Sequence, residues 1–247
     1  MKMKSRSALL IGGMFVSALN LAQAQNSFSD DFNRPDSSGL GSDYTYYDDE
    51  STGSSIFSIS SQTAITNDTV NVGVAAINSG DFLLQTGVGF TVEVDILASA
   101  TASSARVGLA YNFQDIDNYS LVRYRSSDGA VQVLSYTAGS LSHYNQVVDA
   151  NYILNGTVNM LLSVDETGDY TVTLSATGLD DFVVTGNNNT AFSGGLAGLY
   201  YNGVGTGASE YGFDNLSASN IPESNSAALL MGIGAALFLG SRRSRQR

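Results

Sequence analysis

Between residues 26 and 220 the chain holds one proline, Pro35, and no apolar repeat of helical period over any convincing length. It holds instead short runs in which apolar and polar residues alternate, separated by clusters of Gly, Asn, Asp and Ser. Successive side chains of a strand point to opposite faces, so many period-two runs joined by turn residues require an all-β fold. Phe90, Val92, Val94 and Ile96 alternate with Thr91, Glu93 and Asp95, which buries one face of that strand and leaves the other acidic. By the same rule Val107, Leu109, Tyr111 and Phe113 point inward, with Arg106, Gly108, Ala110 and Asn112 outward. Further strands are expected near 54–67, 70–77, 119–125, 131–136, 157–164, 170–175, 195–201 and 211–218, with turns such as SSDG at 126–129 and DETGD at 165–169. Roughly a dozen such strands pack as two stacked sheets. The Ser/Gly/Asp-rich stretch 36–55 reads as a loop, and no internal repeat is evident.

With 43% apolar and only 14% charged residues, the chain can bury a sizeable core. Its charge is unevenly placed. Lys2, Lys4 and Arg6 open the chain and four arginines close it, so residues 25–220 carry only Arg34, Arg106, Arg123 and Arg125 against 22 acids, a balance of −18. Such a surface repels phosphate backbones, which excludes nucleic acid as a partner. The absence of cysteine removes disulfides, thiolate metal sites and thiol nucleophiles. His143 is the sole histidine, so histidine-clustered zinc or iron sites are excluded; it reads as a strand residue on a solvated face, with no function assigned.

Both ends look like addresses. The basic residues at 2–6 precede an apolar run over 8–21, and Ala22, Gln23 and Ala24 supply the small-x-small pattern that a signal peptidase reads, with cleavage expected between Ala24 and Gln25. At the other end Ile221, Pro222, Glu223 and Ser224 lead through a polar spacer to an apolar run over 227–240, then to Arg242, Arg243, Arg245 and Arg247. As a helix that run reaches about 21 Å, short of a hydrocarbon core of about 30 Å, and its arginines would stay cytoplasmic and stall the chain in the membrane. The tail IPESNSAALLMGIGAALFLGSRRSRQR resembles the PEP-CTERM sorting signal of Gram-negative bacteria, with Ser224 standing where that pattern has its second proline. The resemblance implies an exosortase-type processing enzyme, transient anchoring in the inner membrane and delivery to the cell surface or extracellular matrix. The division expected is a signal peptide over 1–24, one β-sandwich over 25–220 and a sorting tail over 221–247, so that a signal helix and a short hydrophobic helix flank the sandwich.

The central segments SDDF (29–32), VGLAYNFQDIDNYSLVRYR (107–125), GGLAGLYYN (194–202) and FDNLSAS (213–219) occur in an order that resembles the concanavalin A-like, LamG-like jelly roll. That resemblance implies two curved sheets, a face able to bind carbohydrate and a structural calcium ion, whose ligands would map to Asp214 with Asp30 or Asp31 nearby. An ordinary strand-end role for Asp214 is the alternative.

Glu93 and Asp95 share a strand face and invite comparison with family 16 glycoside hydrolases, but Leu97 and Ala98 stand where that pattern has a second glutamate, so a retaining carboxylate pair is incomplete. By alternation Arg106, Arg123 and Arg125 point outward and take Tyr119 with them. If sheet order joins these strands, the arginines share a face with Glu93 and Asp95. The preferred reading of that face is a surface ion-pair network. The functional reading is a shallow glycan groove, floored by Gly108 and Ala110, with Tyr119 and Tyr136 for stacking. The expectation drawn from all this is an exported, non-catalytic cell-surface or matrix protein, with a lectin-like polysaccharide-binding module and then a divergent glycosidase as the alternatives.

Overall fold

The computed structural model describes residues 27–48, 57–66, 72–78, 82–85, 87–98, 105–188, 194–203 and 211–221. The signal residues Ala22, Ala24 and Gln25, the motif residues Pro222, Glu223 and Ser224, the closing arginines and both flanking helices lie outside them. Among the described residues no helix is long and apolar enough to cross a membrane.

In chain order the strands are β1 (Ser27–Asp30), β2 (Tyr44–Asp48), β3 (Phe57–Ser60), β4 (Thr63–Thr66), β5 (Gly73–Ile77), β6 (Phe90–Ala98), β7 (Arg106–Asp115), β8 (Asn118–Arg125), β9 (Ala130–Thr137), β10 (Ser140–Val148), β11 (Gly156–Val164), β12 (Asp169–Ser175), β13 (Phe182–Asn187), β14 (Leu196–Asn202) and β15 (Gly212–Asn220). A 3-10 turn, Ala150–Tyr152, links β10 to β11. The strands form two sheets. An eight-stranded sheet runs β13-β12-β11-β6-β15-β4-β3 with β1 also paired to β15, and a seven-stranded sheet runs β10-β9-β8-β7-β14-β5-β2. The expected all-β, two-sheet sandwich is therefore present.

Alternation builds the core as the sequence suggests. Phe90, Val92, Val94 and Ile96 of β6 are fully buried, and Val158, Met160 and Leu162 of β11 beside them repeat the pattern. Facing them from the other sheet are Val107, Leu109, Tyr111, Val122, Tyr124, Val131 and Val133. Part of the buried polar complement is paired through Asn188. Asn188 Nδ2 donates to Ser135 Oγ at 2.6 Å and to Tyr111 Oη at 3.1 Å, and burial pushes the Tyr111 hydroxyl up to about 12 against the Asn188 bond.

Three expectations change. The stretch read as a loop contains β2, whose Tyr44–Asp48 pairs with β5 along its full length. Phe113 does not point inward with Val107, Leu109 and Tyr111. Asn112 has φ +49 and the β7–β8 register shifts between Tyr111 and Asp115, so an inserted residue turns Phe113 to the outer face. His143 does not sit on a solvated face either. In β10 it lies opposite Ser135 on the inward side of the edge strand, edge-on to the Tyr170 ring at 5.9 Å.

Candidate functional site

Among the described residues, the outer face of the seven-stranded sheet carries a side-chain hydrogen-bond network that crosses several strands. In an antiparallel sheet the outward residues of neighbouring strands fall opposite one another and form rows across the strands. The register here sets Gln146, Gln132, Arg123, Gly108, Tyr200, Val74 and Tyr47 in one such row. The next row runs Tyr144, Leu134, Leu121, Ala110, Gly198 and Ala76.

From Gln146 to Tyr200 the first row is a polar ladder. Arg123 donates from Nε to Gln132 Oε1 at 2.7 Å and from a terminal nitrogen to the Tyr200 hydroxyl at 3.3 Å. Gln132 Nε2 in turn donates to Gln146 Oε1 at 2.5 Å and to the Tyr144 hydroxyl at 3.2 Å, and that hydroxyl donates to Gln146 Oε1 at 2.6 Å. At the far end Asn202 Nδ2 donates to Tyr200 Oη at 3.3 Å. The floor is made of small residues because nothing larger fits. A Cβ on Gly108 would lie 2.1 Å from the Val122 carbonyl oxygen, and one on Gly198 would lie 2.1 Å from that of Ala75. These two glycines permit the close backbone approach that holds the rows together.

An aromatic file crosses the same face. Tyr47 and Phe113 lie 4.6 Å apart by ring centroids, Phe113 and Tyr119 5.7 Å, and Tyr119 and Tyr136 5.1 Å with near-parallel planes. Tyr119 is only 8% exposed and its ring is stacked on Tyr136. It supports the half-buried Tyr136 rather than presenting a face of its own. The ring most open to solvent is Tyr144, at 52%.

The three arginines occupy different electrostatic states. Arg125 is held by Asp128 through two bonds, its Nε donating at 2.8 Å, and this bond keeps the Asp128 carboxyl below the usual carboxylate range. Arg106 lies across the ladder from Asn202. Burial and the nearby charges of Arg123 and Arg125 lower its pKa, and its Nε is buried without a hydrogen-bond partner. The Asn202 Oδ1 atom is likewise buried without one.

Glu93 and Asp95 do not join this face. They lie on β6, in the eight-stranded sheet, pointing away from the core that separates them from the arginines. The expected shared face therefore does not form, because β6 pairs with β11 and β15 and neither β7 nor β8 belongs to that sheet. Asn159 Nδ2 donates to Glu93 Oε1 and to Asp95 Oδ1, each at 2.9 Å, and Asn215 donates to Asp95 Oδ2 at 2.9 Å. An amide thus bridges the two carboxylates.

The calcium ligands implied by resemblance lie near one another beside a cleft of about 450 Å3 lined by Asp30, Asp31, Asn215 and neighbours. Burial raises the Asp214 pKa, assisted by the charges of Asp95, Asp31 and Asp30. Of these carboxylates Asp30 is already engaged by protein donors. Asp30 accepts two bonds from Arg34, at 2.6 and 2.9 Å, and others from the Phe32 amide and the Tyr44 hydroxyl. Burial alone would raise its pKa, but these donors hold it below the usual carboxylate range. Among the described residues no three His, Cys, Asp or Glu side chains are grouped to hold a metal ion.

Alternation along single strands singles out Arg106, Arg123, Arg125, Gly108 and Ala110. It does not single out Gln132, Tyr144, Gln146, Tyr200 or Asn202, which become neighbours only through the pairing of five strands.

The fold is that of the jelly-roll sandwiches found in lectins, carbohydrate-binding modules and glycosidases. A lectin from Bauhinia forficata in complex with GalNAc superposes with a TM-score of 0.54 at 10% identity, covering 80% of this chain and 99% of that one. The CBM2 module of an evolved Dit of Lactobacillus casei phage J-1 gives 0.52 at 16%, covering 81% and 99%. The GH43 protein BlXynB of Bacillus licheniformis gives 0.54 at 16%, covering 78% of this chain and 39% of that one, so this chain spans about two fifths of its length. At these identities the likeness establishes the fold alone. No family model matches the chain, and no curated protein matches it.

Proposed function

We propose that this protein is a non-catalytic carbohydrate-binding β-sandwich that takes a polysaccharide on the outer face of its seven-stranded sheet. The observation that carries this is the row Gln146–Gln132–Arg123–Gly108–Tyr200. Strands stand about 4.8 Å apart, so the row offers planar amide, guanidinium and phenol groups at sugar-sized steps over a glycine floor. The guanidinium donates to sugar hydroxyls and the amides and phenol both donate and accept, while Tyr144 and Tyr136 offer ring faces. The carboxylates bridged by Asn159 on the opposite side support a binding role over a hydrolytic one. Affinity electrophoresis against a polysaccharide panel tests the reading. Arg123→Ala combined with Tyr144→Ala should weaken retardation by about tenfold or more at unchanged far-UV circular dichroism. No retardation of the wild type by any polysaccharide would overturn it.

The second half of the proposal concerns delivery. The terminal segments support export by signal peptidase cleavage after Ala24, transient holding in the inner membrane by the run over 227–240 and its arginines, and release to the surface by an exosortase-type enzyme near Pro222 and Glu223.

A further inference from the structure

Four cations stand between residues 25 and 220, and three of them, Arg106, Arg123 and Arg125, lie on this one face of two adjacent strands. With them included the segment still nets −18, so their convergence makes a local positive island on an acidic protein. Their hydrogen bonds are incompletely used. Arg125 is neutralised by Asp128, the one carboxylate that the described residues bring into an ion pair here. Arg123 spends one donor on Gln132 and one on Tyr200, out of the five a guanidinium carries. Arg106 Nε, a donor, and Asn202 Oδ1, an acceptor, are buried without partners on adjacent strands. A buried polar atom without a partner costs free energy, and since both atoms are closed to solvent here, a ligand gains them only as the Arg106 and Asn202 side chains turn toward it. Simple anions supply only acceptors. A sugar acid supplies both a carboxylate for the arginines and hydroxyls for the asparagine.

We infer that the polysaccharide bound by this face is anionic, a uronate-containing polymer whose carboxylate is received by Arg106 and Arg123 and whose neighbouring hydroxyl donates to Asn202 Oδ1. The inference rests on the carbohydrate-binding reading and narrows it to a ligand class. An acidic peptide fits less well, because extended peptides add to sheet edges through their backbones, whereas this surface is a sheet face with ring platforms at Tyr144 and Tyr136. Salt is a poor probe of the idea. It screens the arginine–carboxylate attraction and, equally, the repulsion between a polyanion and the acidic remainder of the protein.

Chemical removal of the carboxylate is the sharper test. Polygalacturonate and alginate are each titrated into the full-length protein beside their carboxyl-reduced, neutral counterparts. At least one acid form should bind about tenfold or more tightly than its reduced form, as expected for a charge-assisted pair. Arg106→Gln should narrow that ratio toward unity. Equal binding of acid and reduced forms, or binding of neutral polysaccharides alone, would overturn the anionic specificity and leave the carbohydrate reading standing. Failure to bind any polysaccharide would remove both. Should Arg106→Gln misfold, the wild-type ratio still decides, and Asn202→Leu provides a second variant expected to weaken acid-form binding.

Discussion

Single residues in this protein show how burial, rather than residue type, sets chemical behaviour. His143 is half-buried at the sheet edge against Tyr170, whose hydroxyl accepts from Asn145, and its Nε2 has no partner. Burial therefore lowers its pKa. A histidine whose folded pKa lies below its unfolded value contributes full stability above the unfolded pKa of about 6.5 and loses it as pH falls through that value, because the unfolded chain binds the proton first. Asp30, Asp128 and Asp165 are depressed below 3.8 and lose their contribution only at much lower pH. Lowering the pH from about 7.5 to 5.5 should thus reduce Tm in the wild type, and His143→Leu should flatten that slope. An unchanged slope in differential scanning calorimetry would show that His143 protonates as freely folded as unfolded.

At the scale of elements, the joints matter as much as the strands. The short turn Ala150–Tyr152 places Tyr152 under β12 and β13, and its hydroxyl lies 2.7 Å from the Leu174 carbonyl, 2.8 Å from that of Asp180 and 3.2 Å from the Phe182 amide that donates to it. The Tyr152 carbonyl meanwhile accepts from the Tyr124 hydroxyl in the other sheet. One residue thereby ties β8 of one sheet to the ends of β12 and β13 in the other. Tyr152→Phe keeps the ring packing but strips partners from the Phe182 amide, which should cost about 1–3 kcal/mol. For a domain of this size that amounts to roughly 2–4 °C in Tm per kcal/mol, measured by thermal denaturation. The bulges act similarly. Positive φ at Asn112 turns Phe113 outward, and positive φ at Asn215 divides β15 between β4 on one side of the break and β1 on the other.

For the whole molecule, the sandwich separates two chemistries by a core's thickness. Its seven-stranded outer face carries three of the four cations between residues 25 and 220, and its eight-stranded face carries the amide-bridged acids Glu93 and Asp95. Ile221, the last described residue, donates its amide to the Gly89 carbonyl at 2.6 Å, so the final strand hands the chain on from one end of β6. Deleting residues 222–247 leaves every described strand intact and removes the proposed sorting tail. The shortened protein should therefore appear in the medium, still folded, whereas the full-length form stays with cells. Equal surface retention of both forms in cell fractionation would rule out a sorting role.

The sequence by itself determined the element type and, strand by strand, which side faces inward. Phe90 to Ile96 and Val158 to Leu162 are buried at alternate positions because a period of two leaves no other way to cover apolar surface. It also determined that arginines would point outward, since unpaired guanidiniums are rarely buried. It could not announce Asn112 as a bulge, because asparagine accepts positive φ in many settings and the shifted register exists only once β7 and β8 are paired. Nor could it say which outward residues meet. Gln146, Gln132, Arg123 and Tyr200 are spread over 78 positions of chain, from 123 to 200, and become one ladder only through sheet order and register. The same sheet order set Glu93 and Asp95 apart from the arginines. Side-chain periodicity is a local property of the backbone, while strand order follows from how all the apolar faces are covered at once, and that only the folded molecule decides.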